Sequence, residues 1–247
     1  MRFMVMHKQM EELPDNFSGT PEFQKLFKEM GALIGEAMQK GAFKNGAGLK
    51  GSKYRTRMTF RGGECVEQQD GPYVGKHNEH PAGFALIKVK TKEEALGYAK
   101  QFGKFMRDGE MEVGLVTEPW DLGVMPKPEN PPMQFLLISK ASKKSESGAP
   151  PSDKEQAELY ALKDAWTKAG VFQFSEAVYP SSAGVRLQFK GKKRTVIDGP
   201  FAESKELIGG FSILDLPTRE EVIAWTDRYA AILGDVEVDV LRLHEAP

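Results

Sequence analysis

The chain has 247 residues, of which 40% are hydrophobic and 28% are charged, a composition typical of a globular protein and not of a disordered one. Its 34 basic and 35 acidic residues nearly cancel, so we expect neither nucleic acid nor a membrane as a partner. A single cysteine, Cys65, excludes an intrachain disulfide, and the N-terminus lacks a signal-peptide pattern, so we expect a cytoplasmic location.

Hydrophobic periodicity predicts the same run of elements in both halves of the chain. Residues 1–8 and 133–140 are mostly apolar over six or more positions, which is typical of a buried strand. An amphipathic helix follows in each half, and Gly41 and Gly170 mark the predicted helix ends. The hairpin strands and the strand that follows them are predicted at 55–60, 64–68 and 84–89, and at 185–189, 194–197 and 211–216.

A short motif precedes the last of these strands in both halves. Residues 198–211 read DGPFAESKELIGGF, and residues 70–84 read DGPYVGKHNEHPAGF. A second helix then opens with Thr-x-x-Glu at Thr91 and at Thr218, which predicts a capping box. A final strand closes each half, so the chain is predicted to be a tandem repeat.

The repeat sets the predicted domain boundaries and fold class. We assign residues 1–118 to a first unit and residues 133–247 to a second, joined by a stiff, extended, proline-rich linker at 119–132. Helices that alternate with hairpins predict an α+β class, in which each antiparallel sheet carries both helices on one face. The opposite faces are then apolar, and we expect the two sheets to pack face to face as a closed α+β barrel.

The second motif carries a family resemblance. Residues 198–211, the Thr-Arg-Glu-Glu helix start and the final Val-Glu-Val-Asp-Val-Leu strand resemble the YCII-related family in its DGPF subgroup. The first half looks like a diverged copy that keeps Asp-Gly-Pro, Gly83-Phe84 and Glu112-Val113. The resemblance implies two ferredoxin-like units that pair within the chain as a pseudo-dimeric barrel. Some relatives are cofactor-independent enzymes of the lyase or isomerase type, in which a histidine works with the loop aspartate.

The candidate catalytic residues are Asp198 and Asp70. A carboxylate beside an apolar interior can have a raised pKa and serve as an acid or a base. The alternative is that an aspartate before Gly-Pro caps a turn with its own side chain. Neither of the first helices contains a histidine, so the histidine of the catalytic relatives does not carry over to this chain.

The histidines offer weaker candidates. His77 and His80 flank Glu79 in the first loop, where they form either part of a metal or catalytic site or a solvated polar insertion, and we predict no bound metal. His7, at the end of the first strand, is either a ligand-binding residue or a satisfied strand-end histidine. His77 and His7 are therefore counted among the ligand-binding candidates.

The other ligand-binding candidates lie in the two loops. Tyr73 and Phe201 follow the prolines and either line a pocket mouth or anchor the loop. Glu203 and Lys205 either orient a ligand or form a solvated face.

Several motifs are absent from the sequence: there is no phosphate-binding G-x-x-x-x-G-K loop, no dinucleotide fingerprint, no HExxH and no GxSxG. We therefore predict no cofactor. Two functions stay open. The first is a module that binds a small organic ligand in the barrel cavity, which the missing helix histidine favours. The second is a cofactor-independent lyase- or isomerase-type enzyme that uses a loop aspartate. A further homodimer is compatible with both.

Overall fold

The computed structural model describes residues 1–8, 19–73, 79–191, 193–201 and 207–244. The strands of this part of the chain are β1 (Arg2–Lys8), β2 (Phe43–Gly48), β3 (Arg55–Arg61), β4 (Glu64–Asp70), β5 (Pro81–Val89), β6 (Gly109–Leu115), β7 (Met133–Lys140), β8 (Phe172–Ala177), β9 (Val185–Lys190), β10 (Lys193–Asp198), β11 (Ile208–Asp215) and β12 (Val236–Arg242). Its helices are α1 (Pro21–Gln39), α2 (Lys92–Met106), α3 (Lys143–Glu146), α4 (Asp153–Lys168) and α5 (Arg219–Leu233).

The strands form two antiparallel six-stranded sheets, and each sheet takes strands from both halves of the chain. The first sheet has the order β10-β9-β12-β1-β11-β2, and the second has the order β4-β3-β6-β7-β5-β8. Strand β1 lies between β11 and β12, whereas β7 lies between β5 and β6. The predicted α+β class is confirmed, and the predicted domain boundaries stay a prediction.

Helices cover the outer face of each sheet. Helices α1 and α5 pack together on the first sheet, and α2 and α4 pack together on the second. Phe3 and Val5 of β1 face α5, where they join the core cluster that contains Trp225 and Tyr229. Each helix pair therefore combines one helix from each half of the chain. None of the described helices is both long and apolar enough to cross a membrane.

The capping threonines of α2 and α5 are confirmed. Thr91 accepts a hydrogen bond from the Glu94 amide, and Thr218 accepts one from the Glu221 amide, both at 3.2 Å. Each such cap is worth about 1 kcal/mol of stability. The Glu94 carboxylate turns to the Lys90 amide at 2.8 Å, so it does not complete the predicted box.

Apolar side chains fill the space between the two inner sheet faces. Met4 and Met6 of β1 and Phe211 of β11 meet Phe84 of β5 and Leu136 of β7 in one buried cluster. Burial of each such side chain contributes roughly 1.5–3 kcal/mol. Alternation along β1 explains the arrangement, since every second residue points to this face.

Two bridges join the sheets at their corners. Leu49, which follows β2, pairs with Val116, which follows β6. Val178, which follows β8, pairs with Leu243, which follows β12. The residue after β2 of the first sheet thus pairs with the second sheet, and the residue after β8 of the second sheet pairs with the first.

Strands β2 and β8 were not predicted. The sequence of β2, Phe-Lys-Asn-Gly-Ala-Gly, has neither an apolar run nor a regular alternation. A Cβ atom at Gly46 would lie 2.9 Å from the Phe211 carbonyl oxygen, so the glycine permits β2 to approach β11 closely. The formation of this strand therefore depends on close backbone packing and not on a pattern of apolar side chains.

The start of the linker, residues 119–124, is folded into turns and differs there from the stiff, extended segment that its prolines predict. The Asp121 amide donates to the Glu118 carbonyl at 2.9 Å, and the Val124 amide donates to the Pro119 carbonyl at 3.0 Å. The Asp121 carboxylate also accepts from the Glu118 amide at 2.9 Å. These local hydrogen bonds fold the segment into turns, which proline at the start of a turn allows.

Candidate functional site

An apolar cavity of about 190 Å³ lies between the outer face of the second sheet and helices α2 and α4. Three neighbouring positions of β5 and β7 carry small residues there, namely Gly83, its partner Ser139 and Ala85. Small side chains at adjacent sheet positions leave space under the helices that larger ones would fill. The apolar walls include Ala85, Phe102, Phe105, Met111, Leu137, Leu159, Leu162, Trp166 and Phe172.

Four polar residues also line this cavity. The Ser139 hydroxyl donates to the Gly83 carbonyl at 3.0 Å, and the Glu176 carboxylate is paired with Arg2. Burial lowers the pKa of Lys163 from the ordinary lysine value. Ser175 completes the set. The cavity is therefore an apolar chamber with a few polar groups in its walls, the usual make-up of a small-molecule site.

A first group of buried charges lies on the inner side of the second sheet. This Glu112 cluster consists of Arg55, Arg57, Glu79, Glu112 and Lys140, all of them buried. Arg55 binds Glu112 at 2.9 Å, while Glu79 accepts from Arg57 at 2.5 Å and forms an ion pair with Lys140 at 2.6 Å. Burial alone would raise the pKa of Glu112, but Lys140 and Arg55 outweigh it and lower the pKa to about 2.

A second group lies on the inner side of the first sheet. This Asp239 cluster consists of Lys8, Arg186 and Asp239, with Glu237 at its edge. Lys8 binds Asp239 at 3.0 Å, and Arg186 binds it at 2.7 Å. Burial alone would raise the pKa of Asp239, yet the neighbouring Lys8 and Arg186 lower it. In each cluster the lysine comes from one half of the chain and the carboxylate beside it from the other.

Each cluster is covered by the aromatic residue that follows a Gly-Pro pair. The Arg57 guanidinium lies 4.4 Å from the Tyr73 ring centroid, and the Arg186 guanidinium lies 4.5 Å from that of Phe201. The Tyr73 hydroxyl also donates to Glu112 at 3.2 Å. Both predicted ligand-binding aromatics thus pack on an arginine, the buried Arg57 or the mostly buried Arg186, in the geometry of a cation–π contact.

The Asp-Gly-Pro loops hold tight turns. The amides of Tyr73 and Phe201 each donate to a serine hydroxyl at 3.2 Å, that of Ser52 and that of Ser181 respectively. A Cβ atom at Gly71 would lie 1.8 Å from the Ser52 carbonyl oxygen. A Cβ atom at Gly199 would lie 1.8 Å from the Ser181 carbonyl oxygen. Glycine is required at both positions because any side chain would collide with the backbone.

Comparison with known protein families gives a match in the second half of the chain. Residues 133–242 match the YCII-related domain. No curated protein and no solved structure matches the chain. The YCII-related region contributes α4 and β8 to the cavity wall, while α2 and β5 come from the first half of the chain.

The two predicted catalytic aspartates lie at the surface. The side chains of Asp70 and Asp198 are 58% and 74% exposed. Asp70 accepts from Lys92 at 2.7 Å and from the Thr56 hydroxyl at 2.5 Å, and Asp198 is paired with Arg219. The pKa of Asp70 is lowered by its hydrogen bonds to Lys92 and Thr56, whereas an apolar interior would have raised it. The expectation of a raised pKa is therefore wrong for Asp70, because the carboxylate is solvated and paired.

The histidines are spread over separate sites. His7 faces α5, where its Nδ1 lies 2.6 Å from the Tyr229 hydroxyl, and burial together with Arg55 and Lys8 lowers its pKa to about 4. His80 is 2% exposed, packs edge-on against Phe201, and has its pKa lowered to about 4, chiefly by burial. Neither lies in the cavity wall.

Three predicted site residues, His77, Glu203 and Lys205, lie outside the described residues. Within the part of the chain that the structure describes, no group of three His, Cys, Asp or Glu side chains is arranged to hold a metal ion.

Sequence reasoning missed the lysines of these sites. Lys8 continues the alternate positions of Met4 and Met6, so period-two alternation placed it on the inner face. Lys163 falls on the apolar stripe of α4, together with Leu159, Leu162 and Trp166 at helical spacing. In both cases the signal was a cation at a position where the periodicity calls for an apolar residue.

Proposed function

We propose that this chain binds a small organic ligand in the cavity between the second sheet and helices α2 and α4. The observation that carries the proposal is the size and lining of the cavity, about 190 Å³ lined mainly by aromatic and aliphatic side chains. An engineered apolar cavity of roughly 150 Å³ binds benzene. A compound with a single ring or a short branched chain therefore matches the space.

The proposed site differs from the barrel interior that the sequence suggested. The inner faces of the two sheets are occupied by Met4, Met6, Phe84 and their neighbours, and by the two charge clusters. The apolar cavity lies instead on the helical side of the second sheet. Binding is favoured over acid–base catalysis because Asp70 and Asp198 are exposed and ion-paired, away from the cavity wall.

We also propose that the first half is a diverged DGPF-type copy and that the two sheets form a pseudo-dimeric barrel. Three repeated contacts support the copy. A serine hydroxyl accepts from the amide after Gly-Pro, an aromatic ring packs on an arginine of the charge cluster, and a lysine from the opposite half pairs with a carboxylate. The bridges at Leu49 and Val178 support the closed barrel, since they join the sheets at two corners.

Titration with benzene, toluene and indole tests the proposed binding. Trp166 lines the cavity, so its fluorescence and calorimetry provide two independent readouts. Ala85→Leu should fill the cavity and abolish binding, whereas Ala161→Leu, at an exposed position of α4, should leave binding unchanged. Leu162→Ala should instead enlarge the cavity and favour the larger indole. Absence of binding to the unmodified protein, or equal binding by the Ala85→Leu variant when it is folded, would contradict the proposal.

A further inference from the structure

Helix α4 directs one of its three lysines to the cavity. Lys154 and Lys168 each pair with an acidic residue one turn away, at 4.0 Å from Glu158 and 2.6 Å from Asp164. Lys163 has no such partner on its own helix. It lies on the stripe of residues that lines the apolar chamber.

The Lys163 amine also lacks a countercharge from elsewhere in the described residues. No hydrogen bond or ion pair there involves this amine, and burial is the sole cause of its lowered pKa. The one carboxylate among the lining residues, Glu176, is held by Arg2. The side chain is half-buried, so its ammonium group has lost part of its water to an apolar wall that offers no anion in exchange.

We propose that the ligand of this cavity is a small monocarboxylic acid, whose apolar body fills the chamber and whose carboxylate pairs with Lys163. This inference rests on the proposed function. The Ser175 hydroxyl, in the same lining, has no side-chain hydrogen bond within the described residues and provides a second donor for the carboxylate. Ser139 is different, since its hydroxyl proton is already donated to Gly83.

The inference makes a prediction about ligand charge. Phenylacetate should bind more tightly than benzyl alcohol or phenylacetamide of similar shape, and phenethylamine should bind most weakly. A charge-assisted hydrogen bond in a partly buried site corresponds to a preference of roughly ten- to hundredfold. The affinity for hydrocarbon ligands should not depend on the charge of Lys163.

Calorimetric titration of the full-length chain and two variants tests this. Lys163→Met keeps the length and apolar stem of the side chain but removes the charge, so it should lose the preference for phenylacetate over benzyl alcohol and still bind toluene. The matched control is Lys168→Met, on the exposed side of the same helix, which should keep the preference. Toluene binding also reports that each variant is folded.

The possible outcomes distinguish failure of the carboxylate inference from failure of the proposed function. Equal affinity of the unmodified protein for the acid and the alcohol overturns the carboxylate inference and leaves ligand binding intact. The same holds if Lys163→Met keeps the preference, since the amine would then extend past the chamber into solvent. If toluene, phenylacetate and benzyl alcohol all fail to bind, both proposals fall.

Discussion

Removal of the Lys8 amine should destabilise the whole fold, because it leaves a carboxylate buried beside only one arginine. Lys8 belongs to β1, which is inserted into a sheet made mostly of second-half strands. Its amine lies 3.0 Å from Asp239, and both side chains are fully buried. Lys8→Met keeps the apolar stem and deletes the charge.

The magnitude follows from what remains around Asp239. Removal of one partner from a buried ion pair costs about 3–5 kcal/mol. Arg186 still donates twice to this carboxylate, at 2.7 and 3.1 Å, so we expect the lower end of that range. For a chain of this size 1 kcal/mol corresponds to roughly 2–4 °C in Tm, so the Tm should fall by about 6–12 °C.

Urea denaturation and calorimetry at pH 7 measure the loss. The control is Lys40→Met, which deletes an amine that is paired with Glu36 on the surface of α1, where the lysine side chain is 69% exposed. An exposed pair contributes little to stability, so the control should be almost unchanged. A loss below about 1 kcal/mol for Lys8→Met would refute the reasoning, because it would mean that Asp239 is solvated or fully neutralised by Arg186.

Three further predictions concern acid stability, the motif aspartate and two glycines. Because burial lowers the pKa of His80 to about 4, the unfolded chain binds a proton at this histidine at a higher pH than the folded chain does, and the free energy of unfolding should fall as pH drops from 6.5 towards 4. Acid titration of a His80→Gln variant should give a flatter profile of stability against pH in that window. An identical profile would show that His80 is not the source of the pH dependence. Asp198→Asn should change the free energy of unfolding by less than about 1 kcal/mol in denaturation measurements, because its ion pair is exposed; a larger loss would reveal a structural role beyond that pair. In thermal unfolding, Gly97→Ala, in an exposed and open part of α2, should stabilise the protein by about 0.5–1 kcal/mol. Gly103→Ala should destabilise it by about 1–3 kcal/mol or more, because the new Cβ would lie 2.0 Å from Phe60. Equal effects of the two substitutions would mean that Phe60 moves aside.

The sequence predicts local structure well because local structure depends on neighbours along the chain. The threonine caps at Thr91 and Thr218 and the hairpins need only a few consecutive residues, and all are found in the structure. The sequence does not predict which strands pair with β1. Any buried antiparallel strand requires an apolar neighbour on each side, and β5, β6, β11 and β12 all offer one, so hydrophobic pattern alone cannot choose between them.

The same distinction applies to the site residues. The Asp-Gly-Pro motif is local, and its turn follows from its own composition. The contacts that matter for burial and charge join residues far apart in the chain, as in the pairs Lys8–Asp239 and Lys140–Glu79. No spacing rule reports such pairs, whereas the position of Lys163 on an apolar stripe was readable.

The two sheets carry side chains of different size at corresponding positions, and this difference affects how many ligand molecules one chain can bind. Strands β1 and β7 align residue by residue, so that His7 corresponds to Ser139. On the first sheet His7 reaches the Tyr229 hydroxyl at 2.6 Å, and Tyr229 stacks on Trp225, so these rings fill the space under α5. On the second sheet Ser139 is too small to reach Phe102, and the cavity opens between them. Since this larger pair occupies the corresponding space on the first sheet, the cavity should bind a single ligand molecule per chain.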